Sequence, residues 1–394
     1  MDTSSTVRRV LVAKGLRAFG DGYVALLLPL YLLDLGFSAL EVGAIATATL
    51  VGSGVLTLVV GLRAHRHSYR ALLIAATVLM AGTGVGFATA TQFWPLLLIA
   101  VVGTLNPSSG DVSVFLPLEH AVLSRVVDDR KRTAVFARYS LVGALAAAVG
   151  SLAAALPPRD AIQAMFALYA LIAVAAAIVY RGLPSSLVAG PHRAPAPLGP
   201  SKGRVYALAA LFSLDAFGGG FIVQSMLALW LFERFDLSIA TAGTLFFWTG
   251  VLTAFSYLVA VRIANRIGLV NTMVFTHIPS SLCLIAIPFV PSLAGVVVLL
   301  LIRSALSQMD VPTRSSYVMA IVTPAERPAA ASITSVPRSL ASAVSPVLAG
   351  SLLAASTFAW PLLIAGGVKI VYDVLLLATF RKVKPPEEAV ATRP

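Results

Sequence analysis

Stretches of about twenty apolar residues recur along the chain, each closed by a short cluster of charged or turn-forming residues. They fall at 10–33, 40–62, 70–91, 94–123, 134–156, 161–181, 204–232, 240–262, 270–290, 293–322, 329–356 and 358–381. A helix rising 1.5 Å per residue needs roughly 20 apolar residues to cross the hydrocarbon of a bilayer. The pattern therefore predicts an all-α integral membrane protein with twelve transmembrane helices. The connections are short except for 182–203, GLPSSLVAGPHRAPAPLGPSKG, whose proline, glycine and serine content predicts a flexible linker. The expected organisation is a six-helix bundle over 1–181, the linker 182–203, a second six-helix bundle over 204–381, and a tail over 382–394.

Composition agrees. Of 394 residues, 58% are hydrophobic and 12% charged, against about 25% charged in a soluble domain. Mean hydropathy is +0.90. The formal charge of +12 would suggest nucleic acid in a soluble protein, but here the positions of the charges carry the information. One side of the predicted topology holds Arg8, Arg9, Arg63, Arg66, Arg70, Arg125, Arg130, Lys131, Arg132, Arg181, Arg193, Lys202, Arg204, Arg262, Arg266, Arg327, Arg381, Lys382, Lys384 and Arg393. The other side holds Arg159 and Arg234. Positive loops stay in the cytoplasm, so both termini and the linker are expected there, with the chain in the plasma (inner) membrane and no nucleic-acid partner. The N-terminal MDTSSTVRRVLVAKGLRAF runs on into LPLYLLDL without a small-residue cleavage site, which reads as a retained first helix.

The halves repeat. RAFGDGY (17–23) matches DAFGGGF (215–221), GDV (110–112) matches MDV (309–311), AHRHS (64–68) matches ANRIG (264–268), and GSL (150–152) matches GSL (350–352). All four offsets lie between 198 and 200 residues, which indicates duplication of a six-helix unit. Basic loops fall on the same side in both copies, so the two bundles are parallel-related, about an axis along the membrane normal.

Twelve helices, a parallel 6+6 duplication and a central cytoplasmic linker resemble the major facilitator superfamily (MFS) over nearly the whole chain. The loop after the second helix resembles the family's G-x-x-x-D-R-x-G-R. In GLRAHRHSYR (61–70), Gly61, Arg66 and Arg70 match, with Arg63 nearby, while His65 and Ser68 replace the aspartate and glycine. The second copy, VRIANRIG (261–268), keeps Arg266 and Gly268. SPVLAG (345–350) resembles the family's eleventh helix. The fifth helix, RYSLVGALAAAVGSLAAALP, lacks the internal Gly-Pro of many proton-coupled antiporters. The resemblance implies a secondary transporter working by alternating access. It also implies a pathway lined by the first, fourth, seventh and tenth helices.

Charges inside the predicted spans are Lys14, Arg17, Asp21, Asp111, Glu119, Arg138, Asp215, Arg303, Asp310, Arg314, Arg338, Lys369 and Asp373. Each costs about 2.5–3.5 kcal/mol at the bilayer centre on insertion scales, so they are expected to face one another or water. Asp21, Asp215 and Arg303 fall near the midplane, with Asp111 and Asp310 deeper toward the cytoplasm. Arg17/Asp21, Asp310/Arg314 and Lys369/Asp373 are i,i+4 pairs that share a helix face. The third, on a peripheral helix, reads as self-neutralising. Buried carboxylates beside arginines are candidate proton carriers.

The stretch NPSSGDVSVFLPLEH (106–120) puts two carboxylates and two prolines where the fourth helix should be. It reads as the kinked cytoplasmic half of that helix, with Asp111 facing the pathway. Glu119 is expected at the interface, pairing with Arg63 or Arg66 as a sign-reversed version of the family's charge latch.

The expected pathway residues are Arg17, Asp21, Asp111, Asp215, Arg303, Asp310 and Arg314. The expected gating residues are Gly61, Arg63, Arg66, Arg70, Glu119, Arg266 and Gly268. The five histidines are scattered and Cys283 is the only cysteine, so no metal site or other cofactor is expected. Trp230, Phe246, Phe247 and Trp248 read either as cavity-lining or as interface aromatics. No nucleophile–base constellation points to an enzyme, and no Walker loop to a primary pump. The tail after 381 is short for the soluble domain of a receptor. The expected activity is proton-coupled efflux of a small organic compound by a monomer. The alternative is uptake or facilitated transport of a small anionic metabolite, bound by Arg17, Arg303, Arg314 or Arg338.

Overall fold

A computed structural model describes residues 3–63, 67–108, 113–127, 129–158, 161–185, 198–323, 326–356 and 358–383. The helices are α1 (Thr3–Asp34), α2 (Ala39–Arg63), α3 (Tyr69–Thr89), α4 (Phe93–Val102), α5 (Phe115–Val126), α6 (Asp129–Ala153), α7 (Ile162–Arg181) and α8 (Lys202–Gly220). They continue with α9 (Gln224–Phe235), α10 (Ile239–Ile267), α11 (Leu269–Ala286), α12 (Leu293–Leu306), α13 (Asp310–Ala320), α14 (Arg327–Ala355) and α15 (Trp360–Phe380).

Local chemistry sets the helix ends. Ser38 and Glu41 form a capping box at the start of α2: Ser38 N–H donates to Glu41 Oε2 at 2.8 Å, and Glu41 N–H donates to Ser38 Oγ at 3.4 Å. Ser68 caps α3 by accepting from Ala71 N–H, and Ser292 caps α12 by accepting from Gly295 N–H. α10 ends at Gly268, whose φ of 87° suits a residue without Cβ. Gly268 N–H bonds the Ala264 carbonyl, while the Gly268 carbonyl accepts from Thr272 N–H at the start of α11. The second-copy loop motif thus keeps its glycine for a turn.

Eleven spans among the described residues are long and apolar enough to cross a membrane. The predicted fourth span is the exception. Among the described residues it is non-helical at 103–108 and 113–114, with α4 and α5 as two short helices on either side. The stretch 106–120 is thus not one kinked helix: 106–108 and 113–114 are non-helical, 109–112 lie outside the described residues, and helix resumes at Phe115. Pro107 lies in non-helical chain, and Pro117 sits in the first turn of α5, where its missing N–H costs nothing. Backbone without helix is tolerated at membrane depth only where its polar groups are satisfied. Thr104 N–H donates to Thr83 Oγ1 (3.2 Å), Ser108 N–H to Asn106 Oδ1 (3.1 Å), and the Pro107 carbonyl accepts from Ser225 N–H (3.1 Å). The seventh and tenth spans are also interrupted, at 221–223 and 307–309.

The chain forms two compact units, Met1–His192 with Val223–Val251, and Arg193–Ile222 with Leu252–Pro394. Glycines set the closest helix contacts within each. In the first, a Cβ at Gly22 would stand 2.1 Å from the Ala147 carbonyl oxygen, and one at Gly150 would stand 2.1 Å from that of Phe19, so α1 and α6 meet backbone to backbone. In the second, a Cβ at Gly220 would lie 2.3 Å from the Ser342 carbonyl oxygen, which brings α8 against α14. An apolar core of Val205, Leu208, Phe212, Met273, Tyr317, Tyr372, Leu376 and Phe380 lies within this second unit.

Candidate functional site

Each unit buries one network of charged side chains. In the first, Glu119 on α5 is fully enclosed, with 0% of its surface exposed. Its carboxylate accepts from the Arg17 guanidinium, from Tyr139 hydroxyl at 2.6 Å and from Tyr180 hydroxyl at 2.6 Å. Arg17 also donates to Tyr180 hydroxyl (3.2 Å) and lies 4.0 Å from the centre of the Phe115 ring. Lys14 stands over the Tyr139 ring at 5.1 Å. The expectation of an interfacial Glu119 facing the loop arginines is thus met by a different arrangement: its charge is taken up by α1, α6 and α7. The side chains of Arg63 and Arg66 lie outside the described residues, as does Asp111.

Asp21, one turn further along α1 than Arg17, is half-buried and accepts from Tyr169 hydroxyl at 3.2 Å. Tyr169 hydroxyl also lies 3.3 Å from the Thr104 carbonyl, so Asp21 sits beside the break in the fourth span. Thr104, in the break, and Ser225, whose N–H bonds the Pro107 carbonyl, have buried hydroxyl oxygens without hydrogen-bond partners. Trp248 is 52% exposed, consistent with a lipid-facing aromatic.

In the second unit, Asp215 on α8 is the hub. Lys369 Nζ donates to its Oδ1 at 2.6 Å, and Arg314 Nη1 to its Oδ2 at 3.2 Å. Arg314 also pairs with Asp310 one turn back on α13, as the i,i+4 spacing predicts, and lies 5.3 Å from the Phe212 ring centre. The expected self-neutralising pair Lys369/Asp373 does not form. Lys369 reaches across to α8, and Asp373 instead holds His277 of α11, with Nδ1 at 3.0 Å from both carboxylate oxygens. Pairing across helices places both carboxylates where no lipid reaches them: Asp215 is 4% exposed and Asp373 0%.

Of the other expected residues, Arg303 on α12 has a buried Nε with no hydrogen-bond partner, and so does Arg338 on α14. Arg70 is half-buried in α3, and Arg266 is exposed at the end of α10. Gly61 and Arg63 end α2. Sequence reasoning missed Tyr139, Tyr169, Tyr180 and His277. The available signal was a polar tip inside an apolar span, which must find a partner.

The sequence profile of the Major Facilitator Superfamily matches residues 10–214 and 208–394, and the chain belongs to that superfamily. It is a multi-pass membrane transporter, not an enzyme. It is 24% identical over 411 aligned positions to the uncharacterized membrane protein YJR124C of Saccharomyces cerevisiae, covering 93% of this chain and 92% of that one. Its fold is similar to that of the nucleoside transporter NupG (TM-score 0.75, 14% identity, 97% of this chain and 100% of that one). It is also similar to a bacterial homolog of the human lysosomal transporter Spinster (TM-score 0.76, 13% identity, 96% and 97%). A third similar structure is that of the human organic anion transporter MFSD10 (TM-score 0.68, 16% identity, 95% and 100%).

Proposed function

We propose that the chain is a proton-coupled secondary transporter that exports a small organic compound by alternating access, as a monomer in the plasma membrane with both termini cytoplasmic. The observation that carries this reading is the Asp215 network. Three carboxylates, a lysine, an arginine and an imidazole are buried inside lipid-spanning helices, where ionisable groups are costly and mark ion pathways. Asp21, Arg17, Asp111, Asp215, Arg303, Asp310 and Arg314 form the pathway in this reading. Gly61, Arg63, Arg66, Arg70, Arg266 and Gly268 form its cytoplasmic loops, and Glu119 braces Arg17 behind the pathway. Asp21 is half-buried and shares Tyr169 with the Thr104 carbonyl at the break in the fourth span, so it is assigned to the solute. The test uses inside-out vesicles with an acidic interior and a pH-reporting dye, challenged with drugs, organic acids, sugars and nucleosides. Proton efflux evoked by one compound, and lost in Asp21→Asn, supports the reading. Labelled solute crossing with no proton movement contradicts it.

A second reading is uptake of a small anionic metabolite. It is favoured by Arg303 and Arg338, whose unpartnered Nε atoms leave guanidinium donors for a carboxylate or phosphate. Vesicles of the opposite orientation, given labelled organic acids, distinguish the two.

A further inference from the structure

We propose that His277 is the residue that binds and releases the coupling proton, and that it does so by competing with Lys369 for Asp215. This rests on the proton-coupled reading and names the group that performs it.

The imidazole is 3% exposed and has an occupant on each side. An ionised carboxylate only accepts hydrogen bonds, so with both Asp373 oxygens 3.0 Å from Nδ1, that nitrogen carries the hydrogen. Nε2 then presents a lone pair. It points to the meeting place of Lys369 Nζ, at 3.5 Å, and Asp215 Oδ1, at 3.7 Å. A lone pair beside an ammonium is the unprotonated state of such a site. When a proton adds to the Nε2 lone pair, the imidazolium repels Lys369 and is attracted to Oδ1, the oxygen that Lys369 now holds at 2.6 Å.

The bonded set carries the carboxylates Asp215, Asp310 and Asp373 against the cations Lys369 and Arg314. Arg338, in reach of Asp215 and Asp310, offsets the remaining negative charge, so a proton on His277 makes the cluster net positive and favours release of one cation. The other groups facing it are Tyr372, whose ring lies edge-on to His277 at 5.9 Å, and Arg338, which is within electrostatic reach of Arg314, Asp215 and Asp310 without bonding to them. Imidazole is the one side chain here whose ordinary range spans neutral pH.

The competition has a mechanical consequence. Lys369 runs along the glycines that end α8: a Cβ at Gly218 would lie 3.2 Å from Lys369 Cγ, and one at Gly219 would lie 3.7 Å from Nζ. Loosening Lys369 frees the end of α8 beside the interruption at 221–223 in the seventh span. Proton binding on α11 is thereby linked to the segment best built to bend.

The experiment is an NMR titration of the full-length protein in lipid nanodiscs. His65, His67, His120 and His192 are replaced and the remaining histidine is labelled at Cε1. The His277 resonance is expected to shift as the pH is varied from 5 to 9. Asp373→Asn should weaken proton binding about tenfold by removing a carboxylate, and Lys369→Met should strengthen it by a similar factor by removing a competing cation. A resonance constant from pH 5 to 9, or a midpoint that neither substitution moves, overturns the proposal. Should the four-histidine replacement not fold, the same titration on the native chain, with His277→Asn identifying the resonance, decides it. The vesicle assay separates the two levels. Solute-driven proton movement that survives His277→Asn defeats this inference and leaves the proton-coupled reading standing. No solute-driven proton movement in the native protein defeats that reading, whatever His277 does in the titration.

Discussion

The two halves begin from the same seven-residue pattern and reverse its charge. RAFGDGY opens with Arg17, and DAFGGGF, 198 residues later, opens with Asp215. Each side chain reaches the helix that follows its span's interrupted neighbour. Arg17 pairs with Glu119 on α5, and Asp215 pairs with Arg314 on α13. Even the aromatic wall is kept, with Arg17 against Phe115 and Arg314 against Phe212. The difference lies in what completes each cluster. Around Glu119 the extra partners are the hydroxyls of Tyr139 and Tyr180, with the His120 ring 5.0 Å from that of Tyr139 and no imidazole bonded to the carboxylate itself. Around Asp215 they are Lys369 and His277. Duplication thus supplied two buried ion pairs of opposite polarity, and in the second an imidazole, His277, lies directly between two of the carboxylates. The first reads as a brace and the second as a switch.

The largest effect expected is at the hub. Asp215→Asn leaves Lys369 and Arg314 without their shared carboxylate, and an uncompensated buried charge costs about 3–5 kcal/mol. Thermal unfolding in detergent should show that loss, and Asp310 should not replace it. Glu119→Gln in the brace should cost about 2–3 kcal/mol, because the tyrosines keep an acceptor while Arg17 loses its counter-charge. A double-mutant cycle with Arg17→Gln should return a coupling of about 1–3 kcal/mol that does not vary between pH 6 and 8. A coupling that varied with pH would erase the contrast between the clusters. Tyr180→Phe removes one donor to Glu119 and should cost about 1 kcal/mol by the same measurement.

The smallest effect lies outside both clusters. Glu326, before α14, accepts from Thr323 hydroxyl at 2.7 Å, Ser201 hydroxyl at 2.9 Å and Gly199 N–H at 2.6 Å, tying the end of the linker to the loop after α13. Those bonds, the one from Thr323 foremost, favour the ionised form and lower its pKa to about 2. A depressed folded-state pKa contributes stability that is present above the unfolded value, about 4.3, and is lost as pH falls toward 2. Glu326→Gln should therefore lower the melting temperature slightly at pH 6 and match the native protein near pH 2. A constant difference at both pH values would show that its charge plays no part.

Much of this fold is legible in the sequence because lipid imposes a simple rule. Twenty apolar residues make a span, and the basic loops and the 198–200 residue offset follow. The non-helical residues at 103–108, 113–114, 221–223 and 307–309 were hidden, since hydropathy averages over a few non-helical residues. Asn106, Pro107 and Ser108, and the GGG that ends α8, were their visible trace. Asp310/Arg314 was readable because both lie on one helix face. Lys369/Asp373 misled for the same reason. Spacing along a helix reports only that helix, while burial is won by pairing across helices. His277 looked isolated among scattered histidines because its partners, Asp373 and Asp215, stand 96 and 62 positions away.

The most direct test of the brace-and-switch account compares two substitutions in inside-out vesicles, following labelled solute and internal pH together. The account predicts that Glu119→Gln slows both fluxes in proportion and keeps the ratio of protons to solute. It predicts that His277→Asn leaves solute movement that no longer carries protons. The reverse pattern, with the ratio lost in Glu119→Gln and kept in His277→Asn, would contradict it.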